Sequence, residues 1–160
     1  MKYRLYKPDD FDALYAIETV CFEPPLRFER AYLQQLTRAR NGATWVAETD
    51  DGKPVGFAVA EWRPARGGRV AGYIATIEVL PEHRRVGAGG ALLGRVEVSA
   101  LDAGADAIWL HVDARNEVAR RLYEKHGYTE AGASENFYGP GQGARILVKD
   151  LAKDVGKRAE

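Results

Sequence analysis

The chain has one cysteine, one methionine and no excess of either charge. The single thiol, Cys21, excludes an internal disulfide and any metal site built on several cysteines, and it fits a reducing compartment. Lys plus Arg and Asp plus Glu both number 23. No net field therefore draws the molecule to nucleic acid or an anionic membrane, and only a local basic patch stays open. No segment approaches the roughly 18 apolar residues of a spanning helix, and MKYRLYKPDD lacks the apolar centre of a signal peptide. These absences predict a cytoplasmic protein with neither nucleic acid nor membrane as partner. At 160 residues the chain has the length of one domain and can bury a core without staples. The expectation is a single domain over 1–152 and a polar tail, 153–160, that frays.

Turn and helix signals divide the rest. Residues 2–6 suit a first strand. Pro8, Asp9, Asp10 and Asp12 put a fixed φ and negative charge where a helix start favours them, and Phe11, Leu14, Ile17 and Cys21 give that helix a buried face. Two prolines within Phe22–Leu26 stop it before a second helix carrying Phe28, Tyr32, Leu33 and Leu36, so the pair forms an elbow with apolar lips. Extended segments at 43–49, 55–62 and 70–80, separated by turns at 50–52 and 66–68, predict an antiparallel meander. From Gly87 the apolar spacing turns helical through Leu93, Val96, Ala100 and Ala103, with Gly104 as a stop. A strand at 107–112 follows, then a helix from Asn116 to Lys125 ended by Gly127. An extended segment from Tyr128 and a strand at 144–149 complete the chain. Strand, helix and strand from 70 to 112 imply a parallel pair. The expected fold is α/β of the α+β mixed-sheet kind, with an antiparallel N-terminal meander, a central parallel junction and a C-terminal helix and strands.

The segment PEHRRVGAGGALL, residues 81–93, reads as a tight turn and a glycine-rich helix start. Gly87, Gly89 and Gly90 lack the Cβ atoms that would hold a ligand off the first-turn N–H groups, and Arg84 and Arg85 add positive charge, which together predict a phosphate cradle. A nucleotide-hydrolysing P-loop needs a lysine and a hydroxyl after the glycines, and neither is present. A dinucleotide fingerprint needs a third glycine where Leu92 stands, and it follows the first strand of a βαβ unit rather than a meander. Arg84, Gly87 and Gly89 match, letter for letter, the R/Q-x-x-G-x-G/A acyl-coenzyme A loop of the GNAT acetyltransferases. The strand before Pro81, the crossover helix, IWLHV and NEVARRLYEKHGY also fall in that superfamily's order. The chain thus resembles a GNAT N-acetyltransferase over nearly its whole length, most densely from 70 to 140. The resemblance implies acetyl-CoA as donor, its diphosphate held by N–H groups of Arg85, Val86, Gly87, Ala88, Gly89 and Gly90 beside Arg84. It also implies that the backbone of Ile77, Glu78 and Val79 pairs with the pantetheine, that Asn116 contacts that arm, and that Tyr123 serves the sulfur. Taken alone, Asn116 reads as a helix N-cap and Tyr123 as a core tyrosine; the loop shifts both toward the site.

Within the superfamily the chain is similar to the protein N-terminal acetyltransferases, including the ribosomal-protein alanine type. The elbow residues Phe22, Pro25 and Leu26, the LHVDARN segment and the ENFYGPG segment around Tyr138 carry that likeness, which implies that elbow and Tyr138 grip an acceptor peptide. Phe137 replaces the first tyrosine of an NYY-like loop. The bacterial type has a glutamate where His111 stands. The eukaryotic NatE type instead has a histidine in the same context and a tyrosine matched here by Tyr73.

Strand alternation puts His111 on the face of Trp109 and Asp113, opposite Ile108, Leu110 and Val112. The reaction needs a neutral amine, and an α-amine, which titrates at about 7.7 to 8.0 against about 10.4 for lysine, is roughly 3 kcal/mol easier to deprotonate. His111 with Tyr73 would accept that proton, Tyr123 would donate to sulfur, and N–H groups near Val79 would polarise the carbonyl. Glu78 is a competing base, yet it lies five residues from Tyr73 and reaches the same site only across a β-bulge. His111, Glu78 and no dedicated base all stay open. His83 and His126 read as solvated, with no metal expected. The expected activity is acetylation of a protein or peptide N-terminus, a ribosomal protein among the candidates. The alternatives are acetylation of a small-molecule amine or lysine, and a non-catalytic acyl-CoA-binding module.

Overall fold

A computed structural model of the chain describes residues 1–152, so the expectation of a fraying tail lies outside the described residues. Strand β1 (Lys2–Leu5) leads through a short 3-10 turn into helices α1 (Phe11–Cys21) and α2 (Arg30–Arg38). The meander β2 (Gly42–Glu48), β3 (Pro54–Pro64) and β4 (Val70–Val79) follows, then α3 (Ala88–Asp102), β5 (Ala105–Asp113), α4 (Glu117–Lys125), β6 (Thr129–Gly139) and β7 (Gln142–Asp150). Asp10 fixes the entry to α1, accepting from Lys7 N–H at 2.8 Å and from both ends of the Arg4 guanidinium at 2.8 and 2.9 Å.

All seven strands form one sheet in the order β1-β2-β3-β4-β5-β7-β6, antiparallel except for the β4–β5 pair across α3. Mixed α/β, antiparallel meander and parallel junction are thus as the sequence implied. The central strands are apolar on both faces because helices cover both. Phe57 and Val59 pack with Phe11, Leu14, Ile17 and Leu33 from α1 and α2. Ala58 and Ala60 turn the other way, toward Leu92, Leu93, Val96 and Ala100 of α3. Burying each of those leucines and valines is worth about 1.5 to 3 kcal/mol. Two helix faces depart from expectation. Cys21 is only half-buried, and Glu18, one turn earlier, takes the fully buried place. Tyr32 is 49% exposed, because α2 packs on the sheet through Leu33 alone among its fully buried residues.

Candidate active site

β4 and β5 pair only as far as Ile74↔Leu110. Beyond that point β4 stays with β3 and β5 with β7, so the two strands diverge and leave the edge of Ala75–Val79 facing a gap. Ala75 has no partner, falling between the pairs Ile74↔Ala60 and Thr76↔Val59, which makes it the extra residue of a β-bulge. The bulge reverses the alternation and puts Tyr73, Thr76 and Glu78 on one face.

The turn after β4 supports the cradle reading with a change in the glycines' roles. Arg85 and Gly87 have φ of 69° and 82°, so only Gly87 adopts the left-handed form without steric cost. The first bond of α3 is Ala91 N–H to Gly87 O at 3.0 Å, which leaves the N–H groups of Ala88, Gly89 and Gly90 aimed beyond the helix start with its dipole behind them. Gly89 and Gly90, expected to clear space for a ligand, instead clear space for α4. A Cβ on Gly89 would lie 3.2 Å from Leu122 Cδ2, and one on Gly90 would lie 2.8 Å from His126 Nε2. His126 is accordingly half-buried, with Nδ1 2.8 Å from Leu122 O, rather than solvated. Arg84 turns back from the loop, donating from Nε to Val79 O at 2.8 Å.

A cavity of about 510 Å³ fills the mouth of the gap. Phe22, Pro25 and Leu26 from the elbow close one side and Phe137 and Tyr138 the other, while Tyr73, Ile77, His111, Asn116 and Tyr123 line its floor and walls. Glu78, Val79 and the Arg84–Gly90 turn lie outside it. A larger depression of about 880 Å³, bordered by Arg69, Asp106, Lys125 and Lys149, touches none of the residues selected for catalysis or binding.

Tyr73 Oη and His111 Nδ1 are 2.8 Å apart. Phe137, itself 45% exposed, lies flat against the His111 ring, with centroids 3.9 Å apart and planes 8° from parallel. The Arg63 guanidinium sits 3.9 Å over the Tyr73 ring and donates to Glu61 at 2.7 Å. Burial, opposed by Arg63, pushes the Tyr73 phenol up to about 12. Burial first, and Arg63 second, lower His111 below its ordinary range. Tyr123 and Tyr138 are both raised, chiefly by burial, and Glu78 contributes to the rise at Tyr123. Asn116 Oδ1 caps α4 by accepting from Ala119 N–H at 3.1 Å, and the residue also borders the cavity.

Glu78 is not the solvated charge its residue type suggests. It is 3% exposed and accepts from Thr76 Oγ1 at 2.7 Å, and burial first and Glu18 second raise it well above the ordinary carboxyl range. Thr76, not Glu78, reaches the cavity wall. Sequence reasoning missed Glu18, Thr76 and Arg63. Only Glu18 left a signal: positions 11, 14, 18 and 21 follow the helical three-and-four spacing, so a carboxylate was due on the buried stripe.

Helix-end N–H groups beside an unpaired strand edge suit the diphosphate and amide-bearing arm of coenzyme A, and the adjoining cavity admits a nucleophile; the class is a coenzyme A-dependent acyltransferase. The chain belongs to the acetyltransferase (GNAT) family, whose sequence pattern matches residues 11–128, and it is an acetyl-CoA-dependent N-acetyltransferase. It is 29% identical over 136 residues to the [ribosomal protein bS18]-alanine N-acetyltransferase of Haemophilus influenzae, covering 85% of this chain and 86% of that protein. It is 28% identical over 134 residues to N-alpha-acetyltransferase 20 of Dictyostelium discoideum, covering 80% and 73%. Among solved structures, Arabidopsis thaliana NAA60 in complex with acetyl-CoA superposes with a TM-score of 0.80 at 22% identity, covering 93% of this chain and 97% of that one.

Proposed function

We propose that the protein acetylates the α-amine of a protein or peptide N-terminus. The observation that carries this reading is the 2.8 Å contact between Tyr73 Oη and His111 Nδ1 in a cavity flanked by the proline elbow and Tyr138. Acetyl-CoA supplies the thioester carbonyl that the amine attacks and the thiolate that leaves. His111, lowered by burial and by Arg63, is neutral at pH 7 and free to accept a proton. As the amine proton passes to Tyr73 Oη, the Tyr73 O–H proton passes to His111 Nδ1, leaving a neutral phenol and an imidazolium. A phenol at about 12 conducts this proton without resting as phenolate. Tyr123, kept protonated by burial, donates to the departing sulfur. Glu78, set back behind Thr76, is not the group that meets the acceptor in this reading.

The pairing suits an α-amine at about 7.7 to 8.0 better than a lysine at about 10.4. The names of the two sequence relatives, an alanine N-acetyltransferase of a ribosomal protein and an N-alpha-acetyltransferase, support a protein acceptor. A ribosomal protein is one candidate, and a cytoplasmic location accords with it. The test is acetyl-CoA turnover on a panel of N-terminal peptides, lysine peptides and small amines. N-terminal peptides should be preferred, and His111→Ala should flatten the acid limb of kcat/KM while Glu78→Gln leaves it in place. Preferential turnover of lysine side chains or small amines would overturn the acceptor, and the reverse pattern in the two variants would overturn the base.

A further inference from the structure

We propose that Glu18 is a positioning residue for the acceptor site, joined to Glu78 by one shared proton that clasps the elbow to the bulged strand. The inference rests on the cavity being the acceptor site. Glu18 is fully buried on α1 and Glu78 nearly so on β4. Glu18 Oε2 accepts from Phe28 N–H at 3.0 Å, and Glu78 Oε2 accepts from Thr76 Oγ1 at 2.7 Å. Each has its Oε1 buried with no hydrogen-bond partner. Ionised carboxylates only accept, so two in contact form a hydrogen bond only when one keeps its proton.

The surroundings favour retention. Cys21 from α1 and Tyr123 from α4 also face Glu78, and neither brings positive charge. Arg84 from the turn after β4 bonds to Val79 O and reaches Cys21 Sγ at 3.7 Å, and Arg27 from the elbow bonds to the carbonyls of Phe22 and Thr19. Among the described residues neither carboxyl has an ion pair. Burial first, and Glu18 second, raise Glu78 well above the carboxyl range.

The connection to the acceptor is direct at both ends. Phe28 and Thr76 border the cavity from opposite elements, and Phe28 O also accepts from Tyr15 O–H at 3.2 Å, so α1 grips that residue by both main-chain groups. Losing the shared proton sets two carboxylates against each other in a dry place, and the elbow end, which lacks sheet bonds, is the one free to yield. The unfolded chain releases this proton near about 4.3. The folded chain holds it to higher pH, so within that window stability falls as pH rises.

Two measurements on the full chain test the clasp. The infrared carbonyl band of a protonated carboxyl needs no substrate. It should be present at neutral pH and absent in Glu18→Gln, whose amide still accepts from Phe28 N–H and donates permanently to Glu78; Glu78→Gln should remove it too. The second is KM for whichever amine is turned over, measured against pH beside the Kd of acetyl-CoA. Relative to Glu18→Gln, which cancels the amine's own titration, the wild-type KM should rise about tenfold as the proton is lost, the equivalent of one buried hydrogen bond. The acetyl-CoA Kd should stay flat. No band at neutral pH, a band surviving both variants, or parallel KM profiles in wild type and Glu18→Gln would overturn the proposal. A change of acceptor class would leave the infrared result intact, so the two readings fail separately.

Discussion

Replacing Gly90 by alanine tests whether the glycines at the start of α3 serve packing between helices. A Cβ there would stand 2.8 Å from His126 Nε2 and 3.0 Å from Cε1. The ring is held by the 2.8 Å contact of Nδ1 with Leu122 O and cannot swing away freely. Two effects oppose. Alanine gains up to about 1 kcal/mol of helix propensity, less near a helix start, whereas forcing a methyl into a filled contact costs about 1 to 3 kcal/mol. The clash wins, and Gly90→Ala should destabilise by about 1 kcal/mol or more. In a His126→Ala background the methyl has room, and the same change should stabilise by about 0.5 kcal/mol. The coupling is therefore about 1.5 to 2.5 kcal/mol. Urea unfolding of the four proteins, with m held constant, measures it. Gly87→Ala is the control. It meets no atom within 4 Å, has φ of +82°, and should cost about 1 to 2 kcal/mol with or without His126. Equal effects of Gly90→Ala in both backgrounds would refute the packing argument.

Arg63→Gln removes a charge that lowers His111, so the acid limb of kcat/KM should move to higher pH; an unmoved or lower limb counts against His111 as the proton acceptor. Tyr123→Phe should cut kcat by about a hundredfold or more with a far smaller change in acetyl-CoA Kd, as expected of a general acid, and equal losses in both would reassign it to packing. Lys149→Met should destabilise by about 3 kcal/mol in thermal or urea unfolding. Lys149 Nζ donates to Glu97 Oε1 at 3.0 Å, and the substitution leaves that buried carboxylate accepting from Tyr128 O–H at 2.8 Å with no ion pair among the described residues.

Features governed by unbroken periodicity were legible in the sequence. His111 falls on the half-buried face of β5 with Trp109 and Asp113 because β5 runs without a register shift from Ala107 to Asp113, beyond the irregularity at Asp106. The apolar stripe of α3 follows the same logic. What escaped depends on partners distant in the chain. Gly89 and Gly90 look like ligand-facing glycines until α4, some thirty residues later, packs against them. Arg63 follows Trp62 near the end of a strand, and nothing local says that its guanidinium will cover Tyr73 on β4. Tyr32 satisfies the apolar spacing of α2 yet stays half-exposed, at the rim of the cavity instead of in the core.

The bulge at Ala75 accounts for more of the site than any side chain does. It lies in YIATIEV, a run with no glycine or proline to mark it, so only the register of β3 against β4 reveals it. With a period of two, Tyr73 would face away from Thr76 and Glu78; one inserted residue brings all three to the same side. The insertion also falls where β4 parts from β5, immediately after Ile74↔Leu110, so the reorientation coincides with the opening of the strand edge. Side-chain direction and main-chain availability are thus set by the same residue. A strand without it would have to choose between carrying Tyr73 toward His111 and carrying Glu78 toward Glu18.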